Sequence, residues 1–163
     1  MKQLILLFLI TCLAACFGKD PQKTDLEGKP LPDFSLLLTD SANSVHTTNT
    51  PADKPVVLFY LSPHCPYCKA QTKEIIEDMP KLKDIQFYFI SNFQLQDVKN
   101  FYKEFQLEKY PNIITGLDTA HAISDYFEIS AIPYIAVYGK NKTLNNTFVG
   151  KIYSSQIIKA AKE

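Results

Sequence analysis

Arginine is missing from all 163 residues, so every permanently positive side chain is one of the seventeen lysines. That absence removes the planar guanidinium fork that grips carboxylates and phosphates, and it argues against any chemistry that depends on one. A surplus of either charge is lacking too, since seventeen acidic residues balance the lysines. Nucleic acid, which selects basic surfaces, is therefore an unfavoured partner. Cysteine is scarce: Cys12, Cys16, Cys65 and Cys68 are too few and too clustered for the disulfide framework of a small secreted fold. The leading apolar run, Leu4-Ile5-Leu6-Leu7-Phe8-Leu9-Ile10, is too short to span a bilayer. No internal repeat or low-complexity tract interrupts the chain.

What is present at the N-terminus reads as processing rather than fold. Lys2 supplies a basic start and residues 4–10 an apolar centre, the pattern of an export signal. The run ends in Leu13-Ala14-Ala15-Cys16, which resembles the lipobox of bacterial lipoproteins, where small residues fit a signal peptidase and the following cysteine takes a diacylglycerol. The resemblance implies a signal peptide over 1–15 and a lipidated Cys16, and hence a place in the cell envelope, on the periplasmic face or cell surface. An ordinary secretory signal is the alternative, and it too exports the chain. Phe17 lacks the aspartate that marks inner-membrane retention in some bacteria, so inner and outer membrane both stay open.

From Cys16 onward 148 residues remain, enough for one domain with a real core. Sixteen lysines then face seventeen acids, a formal charge of about −1, and membrane attachment rests on the lipid. Residues 16–32 are nearly devoid of apolar side chains and read as a flexible tether, with a folded domain over 33–163. Asp33 to Leu38 and Val45 to Thr48, separated by Asp40-Ser41-Ala42-Asn43, read as a hairpin. Val56 to Leu61 is a buried strand. Cys68, Thr72, Ile75, Ile76 and Met79 recur at helical spacing until Pro80. A covered strand over 84–92 and a helical stripe of Leu95, Val98, Tyr102 and Phe105 follow. A short segment at 112–115 precedes a helix over 118–129 with Asp118 as its cap. Strands at 134–138 and 144–149 and a helix at 154–161, capped by Ser154 or Ser155, close the chain.

The motif that says most is Cys65-Pro66-Tyr67-Cys68, directly after the apolar strand. Two cysteines three apart at a helix start can close a disulfide with little backbone motion, and the helix N-terminus favours a thiolate. Cys65 is then the nucleophile and Cys68, one turn in, resolves. Pro66 falls at the first helical position, where a missing N–H costs nothing. Stabilising the thiolate makes the disulfide more oxidising, since only the reduced state gains. Inert, buried thiols are the bland alternative.

The element order, with a dithiol at the first core strand-to-helix turn, resembles the thioredoxin fold: an α/β structure with a mixed central sheet flanked by helices and an N-terminal β-hairpin extension. The start Leu31-Pro32-Asp33-Phe34 is similar to that of membrane-anchored, TlpA/ResA-type thioredoxin-like proteins and of peroxiredoxins. The resemblance covers roughly residues 31–163. It implies an extracytoplasmic thiol–disulfide oxidoreductase acting on protein thiols and disulfides with a separate redox partner, and needing no cofactor beyond the Cys65–Cys68 pair. It also implies that the bond from Ile132 to Pro133 is cis and that this pair docks an extended substrate strand. His64 stands where thioredoxins have tryptophan and modulates Cys65 in this reading, while Tyr67 shapes the surface a partner meets. The Cys-Pro-Tyr-Cys motif is also that of many glutaredoxins, but an exported lipoprotein meets little glutathione. The chain departs from the family in its proton-relay acids: thioredoxins bury a carboxylate where Phe59 stands, and membrane-anchored relatives use a glutamate where Gln71 stands.

Two other readings remain open. A thiol peroxidase would use Cys65 with Ser62, but the family's arginine has no counterpart. A copper or zinc chaperone would ligate metal through Cys65 and Cys68 with His121 or His46.

Overall fold

The computed structural model describes residues 19–163, so the expected signal peptide and Cys16 lie outside the described residues. Its seven strands are β1 (Ser35–Leu38), β2 (Ser44–His46), β3 (Val56–Tyr60), β4 (Gln86–Ser91), β5 (Ile113–Leu117), β6 (Tyr134–Tyr138) and β7 (Leu144–Val149). They form one sheet in the order β2-β1-β5-β4-β3-β6-β7. β3, β4 and β5 run parallel, while β6, β7 and the hairpin strands pair antiparallel. The helices are α1 (Pro66–Glu77), α2 (Met79–Leu82), α3 (Leu95–Glu104), α4 (Ala122–Tyr126) and α5 (Ser154–Ala160). This is the thioredoxin-like arrangement, with the hairpin added at the N-terminus. None of the described helices is long and apolar enough to cross a membrane.

β3 and β4 are buried at every position, which is why both read as continuous β-branched and aromatic runs. Alternate residues divide between two cores. Val57, Phe59, Phe87, Phe89, Ile135 and Val137 face Cys68 and Ile75 of α1, Phe101 of α3 and Ile157 of α5. Their neighbours Val56, Leu58, Tyr60, Tyr88, Ile90 and Tyr138 join Leu31, Phe34, Ile123 and Phe127 on the other face. Phe59 and Phe89 meet edge-on with ring centres 4.9 Å apart. Gly116 lets β1 pack against β5, since a Cβ there would fall 2.9 Å from that of Leu36.

Several boundaries differ from expectation. Residues 19–31, expected within a flexible tether, instead form a strap along the outer edge of β7. Gln22 N–H donates to the Thr147 carbonyl at 2.7 Å, Gly28 N–H to that of Leu144 at 2.8 Å and Leu31 N–H to that of Lys142 at 2.8 Å. An open strand edge carries unpaired amides and carbonyls, and the strap satisfies them. Its polar side chains hid that role, because the pairing is made by the backbone while Leu26 and Leu31 supply the apolar contacts.

Pro80 does not end the helical path. The chain turns at Asp78 (φ −95°, ψ 12°), and Pro80 sits in the first turn of the short α2, where its missing N–H is harmless. The expected helix over 118–129 shrinks to α4. Asp118 lies ahead of it, with the formal cap at His121, yet its carboxylate still accepts the N–H groups of Ile123 at 3.0 Å and Ser124 at 3.2 Å. In α5 the cap position belongs to Tyr153, one residue before the expected serines, and Gln156 Oε1 accepts the Tyr153 N–H at 3.1 Å.

Candidate active site

β3 delivers the chain through Ser62 to the start of α1. Ser62 Oγ accepts the N–H of His64 at 3.2 Å and its carbonyl accepts that of Cys65 at 3.1 Å, a tight turn that aims the helix. Cys65 is the N-cap residue, in extended conformation, and Pro66 opens the helix. The Cys65 sulfur accepts the N–H of Cys68 at 3.4 Å, so an otherwise orphaned helical amide points at it. The two sulfurs are not bonded to each other, and Cys65 is partly exposed while Cys68 is fully buried.

Burial among apolar neighbours pushes the Cys68 thiol up to about 12. The nearby Cys65 sulfur adds to the rise, and a hydrogen bond with the Ser62 backbone opposes it. The pair is therefore asymmetric: one sulfur is reachable, and the other is held as a neutral thiol one turn below.

His64 is at hand but turned aside. Its side chain is 64% exposed, with Nε2 3.3 Å from Asp97 Oδ2 of α3 and the ring edge-on to Phe93, centres 5.7 Å apart. Tyr67 is 66% exposed and Phe93 39%, which leaves two large apolar surfaces beside the dithiol. The bond from Ile132 to Pro133 is cis. Ile132 is partly buried and packs against both cores. The Pro133 carbonyl accepts the N–H of Gly150 at 2.7 Å, tying this segment to the end of β7. Gly150 has φ +87°, a conformation side-chain-bearing residues rarely hold.

Phe59 and Gln71, at the two positions where the resemblance implies an acid, are both fully buried. Gln71 Oε1 accepts the N–H of Ile152 at 2.7 Å, while its Nε2 has no partner among the described residues. Three residues on, Glu74 takes Lys151 Nζ at 2.7 Å and the N–H of Ser154 at 3.3 Å. Both side chains of α1 thus grip the 150–154 loop, whose Gly150 in turn holds Pro133. Sequence reasoning marked Gln71 only by the acid it stands in place of, and it gave Glu74 no role. Their grip on the loop is a tertiary contact with no local signal.

The other candidates are not gathered here. His46 sits on β2, four strands from β3 and so about 19 Å away across the sheet, with Nδ1 3.1 Å from Asp33. His121 caps α4 beside Asn92. Neither joins the two cysteines, and no group of three metal-ligating side chains occurs among the described residues.

Comparisons with known proteins agree with this geometry. DsbF of Mycobacterium tuberculosis is 16% identical, with a TM-score of 0.67 over 80% of this chain and 96% of that one. A secreted disulfide oxidoreductase of the same organism, homologous to E. coli DsbE, is 17% identical, with a TM-score of 0.64 over 78% and 93%. StoA of Bacillus subtilis is 14% identical, with a TM-score of 0.62 over 80% and 97%. No curated protein sequence matches. These likenesses establish the fold, and the Redoxin family model matches residues 26–161, from the strap to the last helix. The chain belongs to the Redoxin family of thioredoxin-fold oxidoreductases.

Proposed function

We propose that this protein exchanges disulfides with protein substrates outside the cytoplasm, with Cys65 as the exposed sulfur, Cys68 as the resolving one and a lipid on Cys16 as the anchor. The observation that carries the reading is the asymmetry of the pair, with Cys65 capping the helix and Cys68 buried a turn behind it with its proton retained. In the reducing direction the Cys65 thiolate attacks a substrate disulfide and releases one substrate thiolate. Cys68 then loses its proton and attacks Cys65, so the mixed disulfide breaks, the Cys65–Cys68 bond forms and the second substrate thiolate leaves. Two electrons pass to the substrate, and the reverse sequence oxidises a dithiol.

The roles of the surrounding residues follow from their places. Ile132 and Pro133 form the edge on which an extended substrate strand docks, Tyr67 gives it an apolar surface, and His64, 3.3 Å from Asp97, modulates the neighbouring Cys65. Pro66 fixes the helix start. Export is supported by the basic and apolar start of the sequence and by the lipobox-like Leu13-Ala14-Ala15-Cys16. Turnover of a disulfide-bonded protein with a chemical reductant tests the exchange. Loss of activity in Cys65→Ser, and a trapped mixed disulfide in Cys68→Ser, are expected; turnover that survives Cys65→Ser contradicts the assignment.

A further inference from the structure

The strap changes what an anchor at Cys16 would mean. As an unstructured tether, residues 16–32 could carry the domain about 55 Å from a bilayer. Instead Lys19 is already fixed: its Nζ donates to the Val149 carbonyl at 3.0 Å, and its own carbonyl accepts Gln156 Nε2 at 2.7 Å. The three covalent steps from Cys16 to Lys19 reach at most about 11 Å.

The corner where Lys19 is held lies at the dithiol end of the sheet. Val149 pairs with Tyr134, and Tyr134 with Tyr60, the last residue of the strand that leads to Cys65. Two strand spacings separate Val149 from Tyr60, about 10 Å. The same corner holds Gly150, bonded to Pro133, and the 46% exposed ring of Tyr153 with Lys151 Nζ 5.0 Å over it. An exposed aromatic ring suits the headgroup layer of a membrane, and Lys151 beside it is neutralised by its pairing with Glu74.

We infer that the strap holds the active-site end of the domain against the membrane, so that its redox partner is a protein whose thiols or disulfide are presented at the bilayer surface. This rests on the lipid anchor at Cys16. Cys65 then works within about 20–30 Å of the headgroups. A soluble partner would gain nothing from so short a leash. A membrane-held one gains effective concentration.

The full chain, processed in a bacterial host and placed in vesicles, tests this. The N-terminal peptide is weighed for diacylglycerol on Cys16, a donor dye is attached to Cys65, and energy transfer to acceptor-labelled headgroups is measured. A variant with a helical spacer of about twenty residues between Cys16 and Lys19 lifts the domain by about 30 Å. Transfer is expected to fall about threefold or more in that variant. Unlabelled protein is assayed on a cystine peptide joined to a lipid by a short spacer and on the same peptide free in solution. The spacer variant should lose about tenfold on the bound peptide and keep its rate on the free one. An unmodified Cys16 overturns the anchor and the inference with it. A lipidated Cys16 with unchanged transfer overturns the orientation alone, and equal rates on the bound peptide overturn the choice of partner.

Discussion

Resolution of the mixed disulfide should be limited by the proton on Cys68. With its thiol pushed up to about 12, the thiolate share at pH 7 is about one in 10⁵. Burial, the largest cause, persists when Cys65 is bonded to a substrate, whereas the contribution of the Cys65 sulfur is lost. No carboxylate occupies the Phe59 or Gln71 positions to accept the proton, and Glu74 is committed to Lys151 and Ser154. Each pH unit below the thiol's range therefore removes about nine-tenths of the attacking species. The assay is to load Cys65 with a chromogenic aromatic thiol as a mixed disulfide and follow its release by stopped-flow absorbance from pH 6 to 9. The rate should rise about tenfold per pH unit, with no plateau near neutrality. A rate independent of pH across that range would refute the reasoning, since it requires a proton acceptor beside Cys68.

Other consequences follow from the same geometry. Brief alkylation of the reduced protein near neutral pH should label Cys65 alone, read by mass spectrometry of the peptide that carries both cysteines; equal labelling of Cys68 would contradict its burial. The raised Cys68 thiol favours the fold fully below pH 9, and that contribution is lost as pH climbs toward 12, because the unfolded thiol ionises first. Denaturation profiles of the reduced protein should thus weaken above pH 9 more steeply than those of Cys68→Ala. Gln71→Ala should cost about 1–3 kcal/mol in urea unfolding by leaving the buried Ile152 N–H without an acceptor. Thr147→Val removes the hydroxyl that donates to the Gln22 carbonyl at 2.8 Å, and should raise protease cleavage within 19–31 while the dithiol keeps its reactivity.

The parts of this structure that sequence made legible are those governed by short periods. Val56 to Leu61 announces a buried strand by unbroken apolar character, and Cys65-Pro66 announces a helix start by its cap and proline. Together they place the dithiol. The hairpin over 35–46 was legible because Asp40-Ser41-Ala42-Asn43 is turn chemistry, and the Asp40 carboxylate does accept the N–H groups of Ala42 and Asn43. What stayed hidden depends on partners distant in sequence. The strap is a polar stretch whose hydrogen bonds go to an edge more than a hundred residues away. Gln71 and Glu74 look like exposed helix positions until the 150–154 loop folds over them. Asp118 caps α4 from outside the helix, so a rule placing the cap next to the first turn misjudged the boundary while naming the right side chain.

The central claim is that Cys65 and Cys68 form a couple that opens and closes. Equilibrating the purified protein against graded ratios of reduced to oxidised dithiothreitol, trapping with an alkylating agent and weighing the products tests it most directly. The account predicts one reversible two-electron transition, approached identically from either side and absent in Cys65→Ser. Thiols that stay reduced across the series, or an oxidised form that cannot be reduced again, would contradict it.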